Sequence, residues 1–364
     1  MQNFMGKDGF QWFVGVVEDR QDPQKLGRVR VRCLGYHTEI HEDLKTADLP
    51  WAHPMNPITS ATISGLGQTP LGPVEGTWVV GFFQDGGEAQ NPIIMGTLPG
   101  VPGGLPTKGS DKGFQDFLNG NYPKYKDETD VNRLAVNDTN LPHPTLTLRK
   151  ADRDIAVGVA NTDATTVVDD VVDADDGTFW NEPETPYAAQ YPYNHVMETE
   201  GGHIKEYDDT VDNKRIHERH ASGSGYEIFD DGTKVTRVKK DNYEIVSADE
   251  YCHIQGIARQ TIDKGLRVKV NNLGQTSNNY TIEVGAGANV SVEVQEGDIN
   301  LISQQGDVNI KAGKNMNIDV NTDLNIKVGG AITETSKSKT ESAENTHQMN
   351  ANLQDINGNK IELN

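Results

Sequence analysis

Four groups of side chains in this sequence have types that could do chemistry, and their spacing decides how far each can go. His217, Glu218, Arg219 and His220 read HERH. A zinc-protease helix sets two histidines at i and i+4 so that both reach one metal, whereas these stand at i and i+3, and no Cys or His cluster has zinc spacing. The histidines are therefore expected at the surface. The acidic run DATTVVDDVVDADDGTFWNEPETPY suggests calcium, but an EF-hand loop counted back from Gly177 puts Ala174 and Val172 where oxygen ligands are required. A solvated acidic linker fits it better. Glu293, Glu296, Asp298 and Asp307 could supply the paired acids of a polysaccharide-cleaving site, yet they lie scattered among Asn, Lys and Ser with no convergent aromatic cleft. In Arg28, Val29, Arg30, Val31 and Arg32 the alternation puts arginines on one strand face and valines on the other. That face reads as solvated or ion-paired; an RNA-binding face would use such arginines too, but with stacking aromatics among them. No residue set recommends a catalytic site, a metal or a cofactor.

Composition narrows the partners. The chain has 364 residues, a net charge of −21 and 54 carboxylates against 33 basic side chains. Nucleic acid is not an expected partner, because binding it rests on cations that neutralise phosphates. Cys33 and Cys252 could pair in principle, but two cysteines do not make a disulfide framework. The amino terminus MQNFMGKDGFQWF lacks a basic segment followed by an apolar run, and no stretch approaches the ~18 to 20 apolar residues that span a bilayer. Synthesis in the cytoplasm without a signal peptide is the expectation. With 35% hydrophobic residues, 7% aromatic residues and 37 glycines, an all-β chain with many turns and a lean core is expected.

The elements follow from hydrophobic period. WFVGVVEDR, GRVRVRCLG, GTWVVGFFQDG and PIIMGTLPG are strand-like runs separated by Pro and Gly clusters. About five short strands within residues 1–100 predict a small OB-like barrel. Residues 101–186 show little periodicity and read as an extended acidic linker that drapes over its neighbours. Residues 187–280 return to strands and hairpins in HVMETEGGHIKEYDDT, GYEIFDDGTKVTRV and NYEIVSADEYCHIQG, with an Asp231-Gly232 turn.

Residues 281–364 carry a repeat. Apolar pairs fall at Val290/Val292, Ile299/Leu301, Val308/Ile310, Met316/Ile318 and Leu324/Ile326, with Gly297, Gly306, Gly313, Asn321 and Gly329 between them. Fixed-period self-similarity of this kind signals a solenoid or β-helix. Eight or nine residues cover only one face, however, while a single-chain β-helix needs roughly 20 residues per coil to enclose a core. Three chains wound together resolve this, each giving one strand per layer, with the paired residues meeting on the axis and the glycines turning the corners. A lone chain would expose that strip while losing ~1 to 2 kcal/mol of backbone entropy per ordered residue. An obligate homotrimer is predicted.

These residues carry a family resemblance. WFVGVVEDRQDPQKLGRVRVR, LPWAHPMNPITSATISGLG and GPVEGTWVVGFFQDG resemble the OB-fold domain of the baseplate central spike proteins of contractile-tailed phages. YPYNHVMETEGGHIKEYDDT resembles the segment that opens their β-helix, the octads resemble the helix itself, and INGNKIELN, with Ile356, Gly358, Ile361 and Leu363, resembles the closing strand pair. The resemblance implies an all-β chain with an OB-fold barrel, an acidic linker and a C-terminal intertwined trimeric β-helix. It further implies a needle held under the tail hub by the OB domains, located at the baseplate of the virion and driven through the host outer envelope on sheath contraction. The related valine-glycine repeat spikes of type VI secretion share this architecture and stay open as an alternative, as does a polysaccharide-degrading tailspike.

The sequence departs from the family pattern in two places. The best-known members carry a lysozyme domain between barrel and spike. Only residues 101–186 occupy that slot here, without amphipathic helices and without the family's helix-start acid and Gly-rich hairpin ending in GIGH. Peptidoglycan cleavage is expected to be lost or delegated, so no enzyme activity is assigned. Some family spikes hold iron near the tip through an HxH pattern; this chain has only His347 there, so the site is not carried over. A prism end exposes unpaired strands, which makes a separate tip-capping protein an expected partner.

Overall fold

The computed structural model describes residues 9–69, 72–99, 116, 118–122, 130–137, 171–172, 179–180, 183, 185–262, 264–270, 279–346 and 348–350. It divides the chain into two units, Met1–Val268 and Lys269–Asn364.

In the first unit, β1 (Trp12–Asp19), β2 (Val29–Cys33), β3 (Trp51–Pro54), β4 (Trp78–Phe83) and β5 (Pro92–Leu98) close into a barrel of order β1-β2-β3-β5-β4. β3 pairs β5 in parallel and all other pairs are antiparallel, the connectivity of an OB-fold. The period-two pattern aims Phe13 and Val17 of β1, then Val29, Val31 and Cys33 of β2, into one core with Ala52, Val79, Phe83 and Ile94. Closure depends on a missing side chain: Gly81 sits opposite Phe13, and a Cβ there would lie 2.0 Å from the Ile93 carbonyl oxygen and 2.6 Å from the Phe13 ring. Two register shifts, at Val17/Asp19 and Val80/Gly81, add the local bends a small barrel needs.

The short strand β3 was not among the four strand-like runs that the sequence made plain. It is four residues long and bounded by prolines at positions 50 and 54, so its alternation is too brief to read.

Within residues 101–186, two of the described pieces, 118–122 and 130–137, are tied to elements outside the segment. Asp116 is buried, and its carboxylate accepts the amide N–H of Leu118 (3.1 Å), Asn119 (2.9 Å) and Asn121 (3.1 Å). A single-turn helix α1 (Arg133–Val136) is capped by Asn132, whose side chain accepts from the Leu134 amide at 2.9 Å. Leu134 is fully buried, and its carbonyl accepts from Tyr187 Oη (2.8 Å) and Asn194 Nδ2 (3.1 Å). β6 (Val171–Val172) and β7 (Phe179–Trp180) pair with each other. Most of the Asp-rich run lies outside the described residues.

A five-stranded antiparallel meander follows: β8 (Asn194–Glu198), β9 (Ile204–Asp208), β10 (Arg215–Arg219), β11 (Gly225–Ile228) and β12 (Lys234–Arg237). Its last hairpin turns at Asp231-Gly232, with Gly232 at φ +86°. Strands expected in NYEIVSADEYCHIQG are not formed: residues 242–256 have no ladder, and Tyr243, Ile245 and Tyr251 are each more than four-fifths exposed. Apolar alternation alone does not make a strand, because its N–H and C=O groups need a neighbour.

Candidate functional site

The octads lie in the second unit. Among its described residues there is no helix and no strand ladder within the chain. Bends fall at 295–297, 304–306, 313–314, 321–322 and 329–330, so Gly297, Gly306, Gly313, Asn321 and Gly329 each sit in one. Of the four glycines only Gly297 takes a left-handed backbone, at φ +125°; the other three turn without it. All ten paired residues are exposed: Val290, Val292, Ile299, Leu301, Val308, Ile310, Met316, Ile318, Leu324 and Ile326 range from 57% to 76%. Monomeric proteins rarely expose apolar surface on this scale, and a periodic strip of it marks an interaction site. Glu293, Glu296, Asp298 and Asp307 are likewise exposed. INGNKIELN and His347 lie outside the described residues.

The barrel arginines are committed to partners. Arg28 is bidentate on Asp22, with Nε 3.1 Å from Oδ2 and Nη2 2.8 Å from Oδ1; that guanidinium holds the Asp22 carboxyl well below the usual range. Arg30 reaches Asp19 at 3.6 Å and donates to the Leu49 carbonyl at 2.6 Å. Both guanidinium groups lie over the Trp51 ring, at 5.6 Å and 4.4 Å from its centroid. The aromatic that a nucleic-acid face would need is thus present, but this chain's own arginines cover its face. Arg32 takes the ion-paired branch of the sequence reading, and does so in the interior. It is 4% exposed and paired with the buried Glu18 at 2.5 and 3.1 Å, and that carboxylate also accepts from Thr46 Oγ1 at 2.7 Å.

A second buried network was missed from sequence. Arg215, whose side chain is fully buried, stands directly across from Asp208 in the β9–β10 register, and His217 stands across from Glu206. Arg215 Nη2 lies 2.6 Å from Glu206 and 3.9 Å from Asp208, and Nη1 donates to Glu227 at 2.8 Å. His217 Nδ1 is 3.0 Å from Glu206, so this histidine is buried, against the surface expectation. The signal was available: Glu206 and Asp208 share one face of IKEYD, and Arg215 and His217 share one face of RIHER. Chemically the cluster is closed. Its acids are tied to a cation, whereas a general acid needs a carboxyl facing a substrate cleft.

Among the described residues no group of three or more His, Cys, Asp or Glu could hold a metal ion. Both thiols are free, Cys33 buried and Cys252 exposed.

A protein of Vibrio phage KVP40, Protein Gp5, is 39% identical over 287 residues, which are 71% of this chain and 65% of that protein. Over that length the chain is similar to Protein Gp5. The Pre-baseplate central spike protein Gp5 of Enterobacteria phage T4 is 44% identical over 142 residues, 38% of this chain and 22% of its own length. A family model for the Gp5 N-terminal OB domain matches residues 36–175, which takes in β3, β4 and β5 of the barrel. The chain thus spans less than two thirds of either Gp5 relative.

Proposed function

We propose that this chain is a member of the Gp5 family and the central spike of a contractile phage tail baseplate, a homotrimeric needle that pierces the host outer envelope when the sheath contracts. The observation that carries the reading is the exposed octad strip. Ten Val, Ile, Leu and Met side chains at a repeat of eight or nine residues gain their burial when three chains meet along one axis. Each layer lengthens the prism by ~4.7 to 4.9 Å, the spacing of neighbouring strands, so the five pairs make a stiff rod.

In this reading the OB barrel docks to a trimeric tail hub, and a separate protein caps the tip. The domain bounds are 1–100 for the barrel, 101–186 for the acidic segment in the place of a lysozyme domain, 187–280 for the entry to the spike and 281–364 for the octads and tip. The spike works by stiffness and shape, with no catalytic residue, metal or cofactor, and nucleic acid is not a partner. Support comes from the Gp5 relatives, one of them named as a pre-baseplate central spike protein, and from arginines and acids that are spent on internal pairs.

A muralytic assay on the purified chain, combined with its molar mass by light scattering, tests the pair of claims. No peptidoglycan release and a mass of three chains are expected. Release of peptidoglycan that a single Asp or Glu substitution abolishes would overturn the non-enzymatic reading.

A further inference from the structure

Three segments far apart in sequence converge on one carboxylate. Arg20, the residue after β1, places Nη1 2.7 Å from Glu200 Oε2 and Nη2 2.9 Å from Oε1, a parallel two-point contact across 180 residues. Tyr122 from the intervening segment donates its hydroxyl to the same Glu200 Oε1. Each partner is held from behind. The Nε of Arg20 lies 3.3 Å from Glu75, which is largely buried just before β4, so the side chain is fixed on the barrel and presents its outer fork to the sheet. Glu200 rides on the tight β8–β9 turn, where the Thr199 amide donates to the His203 carbonyl and the Gly202 amide to the Thr199 carbonyl, both at 2.9 Å. Tyr122 closes the turn that Asp116 organises, and in that turn Leu118 shares a shallow depression with the barrel residues Asp19, His41 and Thr46. Next to this segment, Asn132 donates to Glu198 at 2.7 Å.

We propose that Arg20, Glu200 and Tyr122 form a latch that fixes the barrel to the base of the second sheet, so that the two move as one body. An exposed ion pair contributes little to overall stability, so its effect is on orientation. A guanidinium fork meeting a carboxylate at two points has a defined direction, which a single lysine contact lacks. Without such a contact, two domains joined by a long segment move independently by default. The purpose of the latch rests on the spike reading: force applied at the barrel reaches the strands through Arg20 and Glu200 rather than through residues 101–186.

The test is a distance distribution by pulsed electron spin resonance on the full chain. Spin labels go on Glu42→Cys in the barrel and Asp230→Cys at the β11–β12 turn, in a Cys252→Ser background, with labelled chains diluted into excess unlabelled chain. The expected result is one narrow distance in the parent and a distribution broadened roughly twofold or more in Arg20→Gln, as for domains freed to move independently. Glu200→Gln keeps the shape of the turn and removes the charge; it should broaden the distribution likewise, and it carries the test alone if Arg20→Gln fails to fold. An unchanged width in a folded variant overturns the latch. The readout is independent of oligomer mass and envelope puncture, so failure of the latch and failure of the spike reading are separable.

Discussion

Leu301→Ala separates the trimer from any arrangement in which the octads stay on the surface. Leu301 is 76% exposed within one chain, so if the chain works alone the substitution removes little buried surface and stability changes by less than about 0.5 kcal/mol. If Leu301 packs on a three-fold axis, truncation costs ~2 to 5 kcal/mol at each copy, as in a core. Three copies make at least about 6 kcal/mol per trimer, roughly four decades in the trimer dissociation constant. Sedimentation equilibrium across a dilution series reads this directly, with Asn300→Ala as the control because in the proposed prism the neighbouring residue Asn300 points to the opposite side of the strand. The expected outcome is loss of trimer in the leucine variant at concentrations where the asparagine variant holds. Equal behaviour of the two would refute the inward assignment of the octad pairs.

Other outcomes follow from the first unit. Arg215→Ala leaves Glu206 and Asp208 buried without their cation and should cost about 3 to 5 kcal/mol, read as a lowered denaturant midpoint. Burial pushes the Cys33 thiol up to about 12. Because the folded pKa is raised above the unfolded one, the contribution of Cys33 to stability is present in full below the ordinary thiol range and is lost as pH rises toward 12. Cys33 should therefore resist a thiol reagent at pH 8 until denaturant is added, and Cys33→Val should flatten the alkaline loss of stability. Gly81→Ala drives a Cβ into the Ile93 carbonyl and the Phe13 ring, and a drop of about 1 to 3 kcal/mol in the barrel transition is expected in thermal melts.

What could be read from the sequence was set by the range of the interactions involved. The barrel strands at Trp12–Asp19, Val29–Cys33, Trp78–Phe83 and Pro92–Leu98 were legible because alternation and Gly or Pro boundaries are local signals. The Asp231-Gly232 hairpin was legible for the same reason. Burial of Arg32 was not, since it depends on Glu18 across a strand pair and on Thr46, 28 residues from that glutamate. The Arg20–Glu200 contact joins residues 180 positions apart, and nothing at either end announces the other. His217 was misread because a histidine in a charged string looks solvated until its cross-strand neighbour, Glu206, is known. For the octads the sequence reads the repeat and the bends, while in the proposed trimer the partner that completes each strand belongs to other chains.

The central claim is that three copies of this chain wind into one needle, and the molar mass of the purified full-length protein tests it most directly. Light scattering at micromolar concentration should give three times the chain mass of 39.9 kDa. A folded species of a single chain mass under those conditions would contradict the account.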